Sequence, residues 1–445
     1  MENKHESVKR IYNYVANFFL MLVSVAVFRY IWITELNPLM RTPFEGKGNI
    51  LLFIVYVVIL FLMISLFQGV KIGYYRLSNL LISRSVAYIC AHIVLGLQII
   101  LMIGQVKYSG IIVMRVIEVL AITGTLNAIL TIIITKIYNK IIPPYQMIII
   151  NGDYQNNLRK KIDYRSDKYK VKEEIHISED MDKIKEKILL YDAVMLNDIP
   201  TDKKNMILKF CFENDIRTYF VPKISDILVK GAAELKIFDT PVFLCRNMQL
   251  TFEQRFAKRT MDIIISLILL ILSSPIMLLT WIAIKMEDGG SAFYMQERCT
   301  MNEKRFNVYK FRSMRMDAEK NGAQLAKAND SRITNVGAFI RKTRIDELPQ
   351  LINILKGEMS FVGPRPERPE FVKKNCESIP EFKYRMKVKA GLTGYAQVYG
   401  KYNTTFLDKL KMDLLYIEKY SLLLDLRLIL MTIKVIFMKD STEGV

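Results

Sequence analysis

Four long apolar runs, at 11–33, 50–70, 86–104 and 111–135, dominate the first third of the chain. Each holds about 19 or more residues, enough for a helix to cross a bilayer at ~1.5 Å per residue. The first is too long and too aromatic for a cleaved signal peptide, and no small-residue cleavage site follows it. From 145 to 250 the pattern changes. Short apolar runs such as 147–150, 193–196 and 218–221 alternate with charged helical stretches, the pattern of a small α/β unit with a parallel sheet. A fifth long apolar run, 261–284, carries Ser274-Pro275 near its middle, where proline removes a helix hydrogen bond. Beyond it, Leu348, Leu351, Ile352 and Leu355 fall at helical spacing, with Gly357 as a stop and Pro349 admissible only in the first turn. The last apolar stretch, 416–439, is interrupted by Asp425, Arg427 and Lys434 and reads as an interfacial helix.

Charge sets the orientation. The 445 residues hold 63 Lys+Arg against 44 Asp+Glu, a net charge of +19, with a mean hydropathy of +0.18. Lys4, Lys9 and Arg10, then Lys71, Arg76 and Arg84, then Lys136 and Lys140 flank the spans on one side. The 35–48 loop is balanced, with Glu35 and Glu45 against Arg41 and Lys47. Positive-inside bias places both ends of the four spans in the cytoplasm. Arg115 and Glu118, three apart at the start of the fourth span, read as a structural pair near the interface. The fifth run has basic flanks on both sides, Arg255, Lys258 and Arg259 before it and Lys285, Arg298, Lys304 and Arg305 after it. That fits a helix which enters and returns to the same face, against the alternative of an ordinary kinked fifth span.

The basic excess suits a polyanion, an anionic membrane or a phosphorylated substrate. Without a basic-aromatic stripe or a binding motif, it does not indicate nucleic acid. Cys90, Cys211, Cys245, Cys299 and Cys376 are odd in number and share no CxxC spacing, which argues against disulfides and zinc. His5, His92 and His176 are scattered. After the first strand of the middle segment a dinucleotide site needs G-x-G-x-x-G. The chain has Asn151-Gly152-Asp153-Tyr154-Gln155-Asn156, so the segment reads as a spacer or oligomerisation domain without a phosphate cradle.

The chemistry concentrates in 341–370. Asp346 and Glu347 are expected at a helix N-terminus, between Arg341-Lys342-Arg344 and Arg365/Arg368. Asp346 alone would read as an N-cap. Paired acids among arginines suit phosphoryl transfer: one carboxylate as nucleophile, the other as ligand to a divalent metal, the arginines on phosphate oxygens. Gly363-Pro364-Arg365-Pro366 is a stiff turn that would aim one guanidinium.

Residues 251–440 closely resemble the bacterial sugar transferase family, the monotopic phosphoglycosyl transferases. The resemblance rests on Ser274-Pro275, Gln296-x-Arg298, Tyr309-Lys310-Phe311-Arg312-Ser313-Met314, Asp346-Glu347-Leu348-Pro349-Gln350-Leu351, the run from Lys356 through Gly363-Pro364-Arg365-Pro366, and Gly391-Leu392-Thr393-Gly394-Tyr395-Ala396-Gln397-Val398. It implies Asp346 as nucleophile, Glu347 as Mg2+ ligand with Asp346 beside it, and Arg365 as phosphate-binding. Arg344, Lys310, Arg312, Arg298, Arg368 and Asp413 are implied around the substrate, and Ser274-Pro275 as the break of a re-entrant helix. The reaction implied is transfer of a sugar-1-phosphate from a UDP-sugar to undecaprenyl phosphate through an aspartyl-phosphosugar, with UMP released, in exopolysaccharide, capsule or O-antigen assembly. Thr300 and Glu303 stand where the family usually has glycines, and Gly400-Lys401 where it usually has Gly-Arg.

The chain therefore reads as a membrane protein of mixed α and α/β class. It comprises a four-helix transmembrane bundle (1–144), a degenerate Rossmann-like α/β cytoplasmic domain (145–250) and a mostly helical monotopic catalytic domain (251–445) with a re-entrant helix at 261–284. The expected setting is a bacterial inner membrane, with membrane lipid and a second copy in a homodimer as further partners. The rivals are an inactive membrane scaffold or regulator, disfavoured by the intact acid pair, and a nucleotide-sugar modifying enzyme using the middle domain, disfavoured by the missing glycines.

Overall fold

The computed structural model describes residues 2–154, 156–245, 250–316, 318, 330–400 and 404–436. The chain forms two compact units, Met1–Lys223 and Ile224–Val445.

In the first unit, α1 (Glu2–Ile31), α2 (Lys47–Leu66), α3 (Leu77–Ile103) and α4 (Ser109–Ile141) lie side by side, α1 against α2 and α4, and α3 against α2 and α4. Their polarity is inverted relative to a water-soluble protein. Leu101 is 80% exposed, and Ile54, Leu97 and Ile117 face outward as well. Asn17, Ser24, Arg84, His92, Thr123 and Asn127 are buried between the helices. Apolar groups outside and hydrogen-bonded polar groups inside is the distribution that hydrocarbon demands. Five helices of the chain are long and apolar enough to cross a membrane, these four with their short flanking turns and Phe252–Asp288.

Arg84, counted from sequence among the loop charges, lies inside α3. Its guanidinium donates to Asn17 Oδ1 at 2.9 Å, the Gly69 carbonyl at 3.0 Å and Asn127 Oδ1 at 3.4 Å, joining α1, the end of α2 and α4. Arg115 meets Glu118 at 2.7 Å, as its spacing predicts, and also Glu35 at 3.3 Å.

The remainder of this unit is a parallel sheet in the order β2-β1-β3-β4. In chain order the elements are β1 (Tyr145–Asn151), α5 (Leu158–Asp163), β2 (Tyr169–His176), α6 (Met181–Ile188), β3 (Ala193–Asn197), α7 (Thr201–Glu213) and β4 (Arg217–Phe220). Period-two alternation decides the packing. Ile148 and Ile150 face α6 and α7 through Ile184, Ile188 and Ile207, and Met147 and Ile149 face Ile162 of α5. The sheet is tied to the helices by Glu6 with Arg217, Lys9 with Tyr145, and Arg165 donating to the Tyr74 carbonyl at 2.7 Å. The start of α1 and the α2–α3 connection therefore lie on the same side as the sheet.

The second unit runs α8 (Ile224–Lys230), β5 (Ala233–Ile237), β6 (Thr240–Leu244), α9 (Phe252–Asp288), β7 (Phe293–Cys299), β8 (Arg305–Phe311), α10 (Asn335–Lys342), α11 (Gln350–Lys356), β9 (Ser360–Val362), α12 (Pro369–Ser378), β10 (Gly391–Thr393), α13 (Tyr395–Tyr399), α14 (Phe406–Glu418) and α15 (Leu422–Ile436). Its core gathers Leu351, Ile354, Met359, Val362, Phe382, Leu410, Leu414 and Leu428. Ile227 of α8 joins that core, so the compact unit starts at 224, upstream of the 250/251 boundary drawn from sequence.

Helix α9 is anchored at both ends. Near its start, Arg259 donates to the Ile354 and Leu355 carbonyls at 2.6 and 2.7 Å, and Asp262 accepts from the Phe361 N–H at 2.8 Å. Near its end, Ile284 packs with Phe311 and Ile340, against which Ile345 also packs. A straight helix would hold Arg259 and Ile284 roughly 38 Å apart. Ile345 and Ile354 are separated by only nine residues of mostly helical chain, roughly 14–18 Å. Helix α9 therefore bends between its anchors, and Pro275 lies there. Proline leaves the Ile271 carbonyl without its helical donor, and the Ser274 hydroxyl donates to it at 2.8 Å. Around the bend Ile271, Leu272, Leu278 and Leu279 are 59–69% exposed.

Helix α15 has the same inverted polarity. Asp425 and Lys434, which interrupt the apolar run in sequence, are buried, while Leu422, Leu423, Leu426 and Ile433 are exposed. Asp425 pairs with the buried Lys258 of α9 at 2.6 Å. Residues 437–439 of that run and Lys401 lie outside the described residues.

Candidate active site

Arg344, with φ 60°, ends α10 in the left-handed region and starts a tight 3-10 turn, Ile345–Glu347. Leu348 and Pro349 follow, and α11 begins at Gln350 with Pro349 as its N-cap, where a missing N–H costs nothing. The two acids thus sit one turn ahead of the helix that sequence spacing predicts them to open. Asp346 does not cap it. Gly357, with φ 81°, closes α11 as predicted.

Lys310, on β8, reaches Glu347 Oε1 at 3.3 Å, and Arg365 reaches the same oxygen at 2.8 Å. The buried Asn353 sets β8 against α11. Its side chain accepts from the Tyr309 N–H at 3.0 Å and donates to the Asn307 carbonyl at 2.7 Å, on either side of Val308 and just ahead of Lys310. Burial alone would raise the Glu347 carboxyl, but Arg365, Lys310 and Arg344 together hold it well below the usual carboxylate range. Asp346 has the opposite balance. Burial, then the neighbouring Glu347 charge, pushes it up to about 6 against the pull of Lys310, Arg344 and Arg341. Its Oδ1 is buried and has no hydrogen-bond partner. Adjacent carboxyls driven in opposite directions are the signature of a divided chemical task.

The other sequence-predicted residues divide by position. Lys310, Arg344 and Arg365 surround the acid pair. Arg312 is elsewhere, in a two-pronged pair with Asp288 at the end of α9 (2.7 Å for one contact). Arg298 and Asp413 lie behind the 363–367 turn. Arg298 donates to the Pro366 carbonyl at 3.3 Å and to Gln296, and burial lowers its guanidinium to about 10. Asp413 is 1% exposed and 2.8 Å from Arg385, and burial pushes it up to about 6. Arg368 caps the start of α12 over the Phe371 ring. Sequence reasoning missed Asn353 and Arg385. The first stands within 341–370 without a charge to mark it, and the second sits outside that stretch and every quoted motif.

Gly363 is required by close approach, since a Cβ there would meet the Lys389 carbonyl at 2.3 Å. The turn after Arg298 keeps a glycine-like shape despite Glu303: Asn302 and Glu303 both have φ near 60°. Thr300 is buried, accepting from the Ala390 N–H and donating to the Glu358 carbonyl.

Among the described residues, no group of three or more His, Cys, Asp or Glu side chains could hold a metal. Two adjacent carboxylates, one with an unpartnered buried oxygen, still suit Mg2+, which takes one or two carboxylates and completes its shell with substrate phosphates and water. Lys310 and Arg365 both contact Glu347 at Oε1, and Glu347 with Asp346 would hold the ion. In the sheet of the first unit, the crevice beyond β1 and β3 is filled by the chain: Asn197 donates to Asn151 and Asn156, and a Cβ on Gly152 would meet the Asp198 carbonyl at 2.0 Å.

The family model described as bacterial sugar transferase matches residues 253–439. An N-acetylgalactosaminephosphotransferase acting with UDP-N-acetylgalactosamine and undecaprenyl phosphate, from Aeromonas hydrophila, is 45% identical over 41% of this chain and 44% of its own length. An undecaprenyl-phosphate galactose phosphotransferase from Salmonella typhimurium is 38% identical over 46% of each chain. A putative undecaprenyl-phosphate N-acetylgalactosaminyl 1-phosphate transferase from Bacillus subtilis is 53% identical over 29% of this chain and 72% of its own length. The chain spans less than half the length of the first two relatives.

Proposed function

Because the chain belongs to the bacterial sugar transferase family, we propose that it transfers a sugar-1-phosphate from a UDP-sugar to undecaprenyl phosphate at the cytoplasmic face of a bacterial inner membrane. The observation that carries this reading is the acid pair, with Asp346 Oδ1 unpartnered and Glu347 held ionised by Lys310 and Arg365.

In the first step the ionised Asp346 attacks the sugar-bearing phosphorus. A carboxylate oxygen–phosphorus bond forms, the bond to the bridging oxygen breaks, and UMP leaves with that electron pair. In the second step a phosphate oxygen of the polyprenyl phosphate attacks the same phosphorus. The acyl phosphate bond breaks, Asp346 is regenerated and a polyprenyl diphosphosugar is released. Arg365 and Arg344 take phosphate oxygens as charge builds, and Lys310 keeps Glu347 in place. Glu347, with Asp346, would hold Mg2+, which supplies charge neutralisation at phosphate oxygens. Both arms of α9 dock on the catalytic unit, which supports a helix that dips into the bilayer and returns, keeping the site on the side of the nucleotide sugar. The four inverted-polarity helices serve as transmembrane anchor and the parallel sheet as a Rossmann-like spacer.

The test incubates purified full-length protein with undecaprenyl phosphate and, in turn, UDP-N-acetylgalactosamine, UDP-galactose and UDP-glucose, and follows UMP. A phosphosugar adduct on the peptide carrying Asp346 is the expected trapped species. UMP release from none of the three donors, or an adduct on another peptide, would overturn the reading.

A further inference from the structure

Three prolines deprive the 363–369 segment of N–H donors, so its shape is set from outside through its carbonyls. Each carbonyl from 364 to 367 has a donor from another part of the chain. Pro364 takes the Gly391 N–H at 2.9 Å, Arg365 takes Arg385 at 3.0 Å, Pro366 takes Arg298 at 3.3 Å and Glu367 takes the Cys299 N–H at 2.9 Å. Two of these four donors are guanidinium groups, and they are linked. Arg298 and Arg385 face the Glu367 carboxylate at 3.9 and 3.5 Å. Arg385 is 5% exposed, and its second acid, Asp413, is 1% exposed at 2.8 Å. Behind the turn lies a small cavity of about 10 Å³, lined among others by Pro364, Arg365, Pro366, Glu367 and Arg385.

We propose that Arg385, neutralised by Asp413, is a positioning residue that fixes the Arg365 backbone and thereby aims the Arg365 guanidinium at Glu347 and the transferring phosphate. This rests on the function proposed above. Arg385 does not contact the acid pair. Its NH2 group holds the carbonyl of the residue whose side chain does, and the same NH2 is the one paired with Asp413. Without it the Arg365 carbonyl loses its donor, and a displacement of about 1 Å at a phosphate-binding group is enough to cost roughly 100-fold in rate. Asp413 therefore acts two contacts away from the chemistry: it offsets the charge of a buried guanidinium and holds its direction.

The test is a double-mutant cycle on the full-length protein, with undecaprenyl phosphate and whichever of UDP-N-acetylgalactosamine, UDP-galactose and UDP-glucose supports UMP release. Arg385→Met is expected to lower kcat 10- to 100-fold with the donor KM changed less than threefold, because the aim of Arg365 matters most as charge develops on the phosphate. In an Arg365→Ala background the same substitution is expected to have almost no further effect. If Arg385→Met leaves its partner acid too exposed to an empty site for the protein to fold, Arg385→Met with Asp413→Leu removes both charges together and serves in the same cycle. Losses that multiply in the double variant, or a loss confined to KM, would overturn the positioning role. A fully active Arg365→Ala would instead count against the proposed site itself, so the two failures are distinguishable.

Discussion

Asp346→Asn should make this protein inactive and more stable at once. Asparagine has the shape of the protonated acid, so the substitution removes only the charge. Ionised Asp346 is held among Lys310, Arg344 and Arg341, yet burial and the Glu347 charge win, lifting its carboxyl from 3.8 to about 6. Because the folded-state value is the higher one, ionisation penalises the fold. The penalty is full above about 6, shrinks as pH falls and vanishes below 3.8. Linkage puts it on the order of 3 kcal/mol at pH 7.5 and about 1 kcal/mol at pH 4.5. For a unit of this size, 3 kcal/mol is worth roughly 6–12 °C in Tm. Thermal unfolding in detergent without divalent ions, at both pH values, measures the effect, and UMP release measures the loss of turnover. Glu347→Gln is the control of opposite sign: its carboxyl is held low, so it stabilises the wild type at neutral pH and down to about 4.5, and losing it leaves Lys310 and Arg365 facing one another. The reasoning fails if Asp346→Asn is no more stable at pH 7.5, if its advantage does not shrink at pH 4.5, or if it retains turnover.

Three further expectations concern the scaffold. Glu303→Gly relieves a left-handed residue and should stabilise the protein by about 1 kcal/mol, read as a higher Tm with unchanged kcat; a lower Tm would contradict it. Lys258→Met leaves Asp425 buried without its cation and should cost about 3–5 kcal/mol, largely recovered by adding Asp425→Leu; if the double variant is no better than the single, the pair is not the source of the loss. In a cysteine-free variant with one new cysteine at Gly290, an impermeant thiol reagent should label sealed cells only when Ser274→Leu and Pro275→Leu are also present, and labelling without those changes would refute the returning helix.

What the sequence conveyed well was periodicity and type of charge. The apolar runs became helices, the stretch after 145 became a parallel sheet, and Asp346, Glu347, Lys310, Arg344 and Arg365 came together. What it could not convey was the direction of each guanidinium. Arg298, Arg312 and Arg365 look alike in a motif, yet one holds a carbonyl, one locks Asp288 and one faces Glu347. The difference lies in which acceptor the fold brings within hydrogen-bond reach, and that acceptor can be a backbone carbonyl, which any residue type supplies. For the same reason Asp413 carried a signal of importance without a signal of place. Arg84 was misplaced because a loop charge and a buried charge have one symbol, and only the asparagines of α1 and α4 distinguish them. Where α11 starts was misjudged because a left-handed Arg344 is invisible to propensity.

The anchoring of the first arm of α9 has a consequence for how the protein is made. Lys258 depends on Val362, Tyr416 and Asp425, groups 104 to 167 residues further along the chain. At about 5–20 residues per second, the ribosome delivers the last of them roughly 8–33 s after Lys258. Until residues 354–362 emerge, Lys258, Arg259 and Asp262 have none of these partners, and Lys258 waits longest, for Tyr416 and Asp425. The charges that end up buried therefore begin hydrated, and their preference for water acts on the start of α9 before any contact that later secures it has formed.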